Sequence, residues 1–488
     1  MYSSLWAGVD VGTQSIRVSV IDENDTLASA AVPLRSFRSE NRHEQDPQDW
    51  WDGLCTALQK VAQNLPNDRR LADVVRVAFD TTSGTILLAD ESGRPQSHAL
   101  MYDDQRASML AQEVQVAGES VWNRLGYQMQ SSWALPKLLW LKRSGAILPG
   151  TRMQHSADFL ATRLTGTHVP SDWSHALKTG FDLDTLSWPA QVLESLGISP
   201  ELLPQVKRPG SLLGYVSRSA ADATGLKPGV EVRGGMTDGC AAQIAAGALE
   251  AGSWNSVLGT TLVLKGVTQT RLDDPTGAVY SHRHPDEGWL PGGASSTGTG
   301  ALIDEFGSRH YDRDAAASKW QPSSGIAWPL RGTGERFPFY CPQARKFQRG
   351  TFANEEDRYS AWLQGLAFIE RLAFEQLEYL GAPVYGTLTF TGGATRSMHL
   401  SQLRADVLKR AVRVLPDAEP SIGAALLAFA GDGSLTKAVA ARPQRGQIVE
   451  PRTRISNRLE ESYQEFIAEL HLRGWLPKRG RSEETMNG

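Results

Sequence analysis

The chain has 488 residues, enough for two or three domains that each bury a core. Lys and Arg number 50 against 54 Asp and Glu, for a formal net charge of −4, and 41% of residues are hydrophobic. That balance excludes a disordered chain and lacks the basic excess of a general nucleic-acid or anionic-membrane binder. Cys55, Cys240 and Cys341 are odd in number and far apart, which fits neither a disulfide framework nor a zinc site and suits a reducing compartment. No basic stretch followed by an apolar core opens the sequence, and no run approaches the ~20 apolar residues of a membrane helix. The expectation is a soluble cytoplasmic protein with no membrane and no nucleic-acid partner.

Residues 5–10 and 17–22 are β-rich runs joined by Val11-Gly12-Thr13-Gln14-Ser15, the pattern of a hairpin. Asp46-Pro47 opens a helix that runs to about Asn64, with Asp46 as cap and Pro47 in the first turn. Strands are expected at 74–79 and 86–89, the second closed by the turn Asp90-Glu91-Ser92-Gly93. Helices follow at about 104–118, 136–144 and 156–164, the last stopped near Gly166. A strand at 230–233 ends at Gly234-Gly235, and an Ala-rich helix begins near Asp238. Alternating strands and helices give an α/β class. A second half begins near residue 250, where 252–264 repeats the form strand, Gly-Thr turn, strand. The stretch from Arg331 to Asp357 reads as irregular, either a surface loop or an oligomer contact. A helix at 359–380, a strand at 387–391, Gly392-Gly393 and helices at 397–410 and 422–430 follow. The polar tail fits a helix up to Arg473 and reads as frayed from Arg479 to Gly488.

Four clusters have the makings of a site. Asp10 ends an apolar strand and suits Mg²⁺ held through water, while the N–H groups of Gly12, Thr13, Gln14 and Ser15 can form an anion nest to which Arg17 adds charge. A plain hairpin, with Asp and Gly serving only the turn, is the alternative. Asp238 at a helix start is either a cap or a general base, and Gly-Gly before it lets a substrate come close. Gly259-Thr260-Thr261 and Gly392-Gly393-Ala394 are the third and fourth. Gly-Gly between strand and helix can carry a flat nucleoside or merely begin the helix. Neither G-x-x-x-x-G-K-[ST] nor an early G-x-G-x-x-G is present, which argues against a P-loop kinase and a Rossmann dehydrogenase. Cys240 reads as a small buried hydrophobe, Trp50-Trp51 as helix packing, and His282 and His284 as polar loop residues without metal-site spacing.

In order, these clusters resemble the FGGY carbohydrate kinase family. The resemblance rests on Gly8-Val9-Asp10-Val11-Gly12-Thr13, Glu44-Gln45-Asp46-Pro47, Pro136-Lys137-Leu138-Leu139-Trp140-Leu141, Asp158-Phe159-Leu160 through Gly166, and Ser171-Asp172-Trp173-Ser174 leading to Lys178-Thr179-Gly180. It continues through Asp238, Gly259-Thr260-Thr261, Gly392-Gly393-Ala394 and Ser421-Ile422-Gly423-Ala424-Ala425. It implies two actin-like, ribonuclease-H-like domains with an interdomain nucleotide and sugar cleft. Residues 1–248 would carry the sugar site and phosphate loop, 249–440 the nucleotide site, and 441–488 an extension. The implied cofactors are ATP and Mg²⁺, the implied partner is a small sugar, and homodimers are common in the family.

The resemblance also implies residue roles. Asp238 matches the catalytic base and Asp10 the carboxylate that works with Mg²⁺. Gly12, Thr13, Gln14, Ser15 and Arg17 form the γ-phosphate loop, and Gly259, Thr260 and Thr261 the second phosphate loop. Gly298 matches the next ADP contact. Gly393 lies on the adenosine side, and Ser397 there replaces a frequent Asn. Sugar contacts fall on Thr82, Ser83 and Asp104, with Asp238. Thr82-Ser83 stands where many xylulose kinases have Met-His, and the Arg-Glu of glycerol kinases is missing. Tyr280-Ser281-His282-Arg283 and Gly334-Glu335-Arg336-Phe337-Pro338 look like short D-ribulose kinases of plants and cyanobacteria. D-ribulose is therefore the expected acceptor. Xylulose or another polyol is the alternative, and a nucleotide-binding sensor without phosphotransfer is the alternative of another class.

Overall fold

A computed structural model describes residues 4–308, 321–443 and 445–476. The chain packs as two compact units. The first takes residues up to Asn255, then Lys265–Pro291 and Asp417–Arg445; the second takes Ser256–Leu264, Gly292–Pro416 and the chain from Gly446.

The first unit is built on six strands: β1 (Leu5–Val11), β2 (Ser15–Ile21), β3 (Thr26–Pro33), β4 (Val74–Thr81), β5 (Leu212–Tyr215) and β6 (Glu231–Thr237). Their order is β5-β6-β4-β1-β2-β3, with β1, β4 and β6 mutually parallel and β2, β3 and β5 antiparallel to their neighbours. Strand β1 is apolar on both faces because both faces are covered. Leu5, Ala7 and Val9 pack with helix α1 (Pro47–Asn64), whose Trp50, Leu54, Ala57, Leu58 and Val61 recur at helical spacing. Asp46 caps α1 by accepting from the Gln48 N–H at 2.9 Å. Trp6, Ala78 and Met236 point to the opposite face, which is closed by α2 (Asp238–Ala245) and α3 (Pro420–Ala430).

Helix α3 explains why the first unit is discontinuous in sequence, where the sequence reading drew continuous spans. A Cβ on Gly8 of β1 would lie 1.9 Å from the Ser421 carbonyl oxygen, so strand and helix touch backbone to backbone. The Ser19 and Ser421 hydroxyls meet at 2.8 Å. In the second unit, Trp254–Leu258 lies between Leu262–Gly266 and Leu388–Thr391, and Val412–Val414 pairs parallel with Leu388–Thr391. The 25-residue helix Glu355–Tyr379 supplies Glu370, which holds the buried Arg404 guanidinium at 2.6 Å.

Several local expectations change. The stretch read as irregular is a hairpin, Ile326–Glu335 against Cys341–Arg349. Gly332 and Gly334 take φ of +73° and +94° there and shift the register, which erases the alternation a sequence shows. Gly234-Gly235 does not end its strand. It is a bulge within β6, and a Cβ on Gly235 would lie 2.1 Å from the Phe79 carbonyl oxygen on β4. The helix expected from Asp104 starts only at Ser108, because the Asp104 carboxylate holds Arg106 and the His43 N–H instead. The tail forms the helix Thr453–Leu472. The expectation for residues 479–488 lies outside the described residues. Among the described residues no helix is long and apolar enough to cross a membrane.

Candidate active site

The parallel register of β1, β4 and β6 gathers three carboxylates at one edge. Asp10 pairs across with Asp80, and Thr81 with Thr237, so Asp238 follows one residue past that level. Ligands of open α/β sheets bind outside such carboxyl ends. Asp80 is fully buried, and neither of its oxygens has a hydrogen-bond partner among the described residues. Burial, and then the Asp10 charge, pushes its carboxyl well above the usual range. Asp10 is pushed up to about 7, again by burial first. Both carboxyls are thereby held toward the protonated form.

This preference makes a pH prediction. Both carboxyls are raised, so the stability they contribute is present below their unfolded pKa values and is lost as pH rises, for Asp10 through about 7. Without metal, the melting temperature should fall between pH 5.5 and pH 8, and Asp80→Asn should fall less. Equal falls in the two proteins would contradict a raised Asp80 carboxyl.

Asp238 is the first residue of α2, and Thr237 is its N-cap. Its Oδ1 accepts from the Gly239 N–H at 2.7 Å, while Oδ2 makes no hydrogen bond among the described residues, leaving it able to take a proton. Burial raises the carboxyl, and Lys178, His175 and Lys265 pull it back. Lys265 crosses close to the helix start, its Cε 3.2 Å from a Cβ placed on Gly239, and its Nζ meets His282 Nδ1 at 3.0 Å. His282 is thus a buried strand residue rather than a polar loop residue. Ser174 Oγ bonds the Thr237 N–H at 2.9 Å, and His175 joins Thr81 Oγ1 at 2.8 Å to Asp172 at 2.6 Å. The Asp172–His175 segment thereby ties the ends of β4 and β6 together. The sequence quoted this segment without a role for it.

On the expected sugar side, Thr82 Oγ1 meets Thr85 Oγ1 at 2.9 Å, while Ser83 Oγ is buried without a partner among the described residues. Asp104 is fully buried, with both carboxylate oxygens bonded to Arg106. Its role here is to fasten its own loop. Lys137 brings these segments together. Its Nζ donates to the carbonyls of Gly84 at 3.2 Å, Tyr102 at 2.9 Å and Ser132 at 2.6 Å. Lys137→Met keeps the length but strands those buried acceptors, and should cost about 2–3 kcal/mol in urea unfolding. A change under about 0.5 kcal/mol would contradict the tie.

The expected phosphate loops are both turns. In the first unit Gly12 N–H bonds Ser15 O at 3.0 Å, Gln45 holds Thr13 O at 2.7 Å, and Leu34 N–H holds Gln14 O at 2.9 Å. Arg17 lies 3.7 Å from Glu419. In the second unit Gly259 N–H bonds Thr261 O at 3.0 Å and Thr299 N–H bonds Gly259 O at 2.8 Å. Gly298 permits this docking, since its Cβ would lie 2.3 Å from Thr260 O. Gly392, at φ +84°, sits against the strand end at Leu258, and a Cβ on Gly393 would meet nothing within 4 Å. Ser397 caps its helix, accepting from the Leu400 N–H at 3.0 Å. Gly259, Thr260, Thr261, Gly298 and Gly393 thus lie around one end of the second unit's sheet.

The sequence reading gave no role to His175, Lys178 and Lys265, and placed Asp80 only at the head of the loop 80–84 expected to contact the sugar. Only Asp80 left a signal, as the last residue of an apolar strand run in a form that parallels Asp10.

The model for the FGGY family of carbohydrate kinases, N-terminal domain, matches residues 5–245, and that for the C-terminal domain matches 254–431. A xylulose kinase of Staphylococcus epidermidis is 24% identical over 96% of this chain and 97% of its own. The crystal structure of xylulose kinase from Rhodospirillum rubrum superposes with a TM-score of 0.83 at 24% identity, covering 96% of this chain and 99% of that one. Plasmodium falciparum glycerol kinase with ADP gives 0.82 at 18% identity, covering 98% and 99%.

Proposed function

Because the chain belongs to the FGGY family of carbohydrate kinases, and so is a phosphotransferase with an alcohol acceptor, we propose that it transfers the γ-phosphate of ATP to a primary hydroxyl of a ketopentose, D-ribulose first. The observation that carries this reading is the alignment of Asp10, Asp80 and Asp238 at the ends of three adjacent strands. Phosphoryl transfer asks a protein for alignment and charge neutralisation more than for covalent help. Asp238 Oδ2 accepts the proton of the attacking hydroxyl, with Oδ1 fixed by the Gly239 N–H. The Gly12–Ser15 turn with Arg17 is the proposed phosphate contact of the first unit. Gly259, Thr260, Thr261, Gly298 and Gly393 are those of the second, and Ser397 lies beside the adenosine side.

Among the described residues no group of three or more His, Cys, Asp or Glu is placed to hold a metal alone. Asp10, with the unpartnered Asp80 beside it, offers only oxygen donors. That set fits Mg²⁺ shared with substrate phosphates, where the ion supplies charge neutralisation.

D-ribulose is supported by the hydroxyl pair Thr82-Ser83 and by the Tyr280–Arg283 segment beside the base. Xylulose is the second reading, favoured by the name of the Staphylococcus epidermidis relative. Initial rates with D-ribulose, D-xylulose, L-ribulose, ribitol and glycerol separate them. The reading expects the highest kcat/KM with D-ribulose; a preference for D-xylulose would replace the acceptor and keep the mechanism.

A further inference from the structure

A cleft of about 900 Å³ lies in the first unit at the far end of α3 from the three carboxylates. Helix α3 starts beside the edge that carries Asp10, where its N-cap Glu419 lies 3.7 Å from Arg17. It ends at Gly431, whose carbonyl accepts from Arg208 in the cleft wall at 3.3 Å. Its 11 residues span about 16 Å between the two places. The cleft is therefore apart from the proposed phosphotransfer site. Its size is that of small-molecule sites, ~300–1,000 Å³.

The walls are fastened. Arg208 donates to Pro285 O at 2.9 Å and to Gly433 O at 3.4 Å. The Asp286 carboxylate accepts from Ser434 Oγ at 2.9 Å, from the Leu435 N–H at 2.9 Å and from the Thr436 N–H at 2.8 Å. Two groups in the lining are left over. His284 is only 2% exposed, and its Nδ1 accepts from the Asp286 N–H at 3.0 Å. Burial lowers its pKa, so the ring is neutral and carries its proton on Nε2. That N–H and the Thr268 hydroxyl are both buried without a partner among the described residues, and both residues line the cleft. Unpaired buried donors are costly and rare.

The carboxylates of the lining are largely spent. Asp286 holds three donors, and Asp432 is held by Arg233 at 2.8 Å. Lys437 and Glu287, both exposed at the rim, have no ion pair among the described residues. An oxyanion accepts from the imidazole N–H and the hydroxyl and meets Lys437 as well. We propose that this cleft is a second ligand-binding site, which takes a small molecule through a phosphate or carboxylate group with His284 and Thr268 as donors. The site does not depend on which sugar the chain phosphorylates.

Inorganic phosphate and acetate are the probes, titrated into the full chain with MgADP at saturation so that the nucleotide site is filled. The first readout is the Nε2 resonance of His284, assigned by its loss in His284→Gln. It should shift saturably with phosphate, or with acetate alone if the site takes carboxylates. Calorimetry should find binding of the effective probe about 10-fold weaker in Thr268→Val, the size of one lost hydrogen bond to a charged ligand. Thr268→Val breaks no side-chain hydrogen bond among the described residues. Its melting temperature without probe should therefore be no lower than that of the wild type, and the probe should raise it less. Glu287→Gln should bind at least as tightly as the wild type. A His284 resonance that neither probe moves, equal affinity in the wild type and Thr268→Val, or weaker binding in Glu287→Gln would each overturn the site.

Discussion

Asp238→Asn is expected to lower kcat by about 10²–10⁴-fold, the usual size of a lost acid–base group, with ATP affinity unchanged. The amide has the same shape and can keep the bond from the Gly239 N–H through its oxygen. It cannot take the hydroxyl proton. The substituted chain should therefore fold, bind both substrates and fail only in the chemical step, so kcat and kcat/KM fall together. Stopped-time assays of product, paired with calorimetry of ATP, check both halves. Near-wild-type turnover in a folded Asp238→Asn protein would remove the base assignment.

The second large effect is structural. Gly423→Val should destabilise the protein by more than about 4 kcal/mol, at the extreme of single substitutions. A Cβ on Gly423 of α3 would lie 1.9 Å from the Ala241 carbonyl oxygen of α2. The obstacle is backbone, so no rotamer change relieves it. Gly8 makes the same kind of contact between β1 and α3. Helix α3 thus supports the strand that carries Asp10 and the helix that begins with Asp238. Denaturant unfolding of Gly423→Val, with the soluble fraction on expression as a second readout, checks this. A loss below about 1 kcal/mol would show that the helices can separate at little cost.

Much of this was legible in the residues. Asp46-Pro47 carries both the cap and the first-turn signal, and α1 begins and ends where that pattern does. Gly12 between two apolar runs marks the β1–β2 hairpin, and Gly166 marks a helix stop at φ +78°. What was not legible depends on contacts distant in sequence. Gly234-Gly235 looks like a turn until β4 is seen to need its backbone close. The 326–349 hairpin hides behind shifted register. Residues 417–445 join the first unit only because small residues of α3 meet Gly8 and Ala241. In the site, Asp10 and Asp238 were visible as strand-end and helix-start acids. Lys178 and Lys265 become notable only once the path of each side chain is known.

The central claim is transfer of phosphate to a sugar hydroxyl. Phosphorus NMR of the wild-type chain with ATP, Mg²⁺ and D-ribulose tests it most directly. The account predicts a new phosphomonoester resonance that grows in step with ADP and is absent without the ketose. Inorganic phosphate as the only product, formed at the same rate with and without sugar, would contradict it.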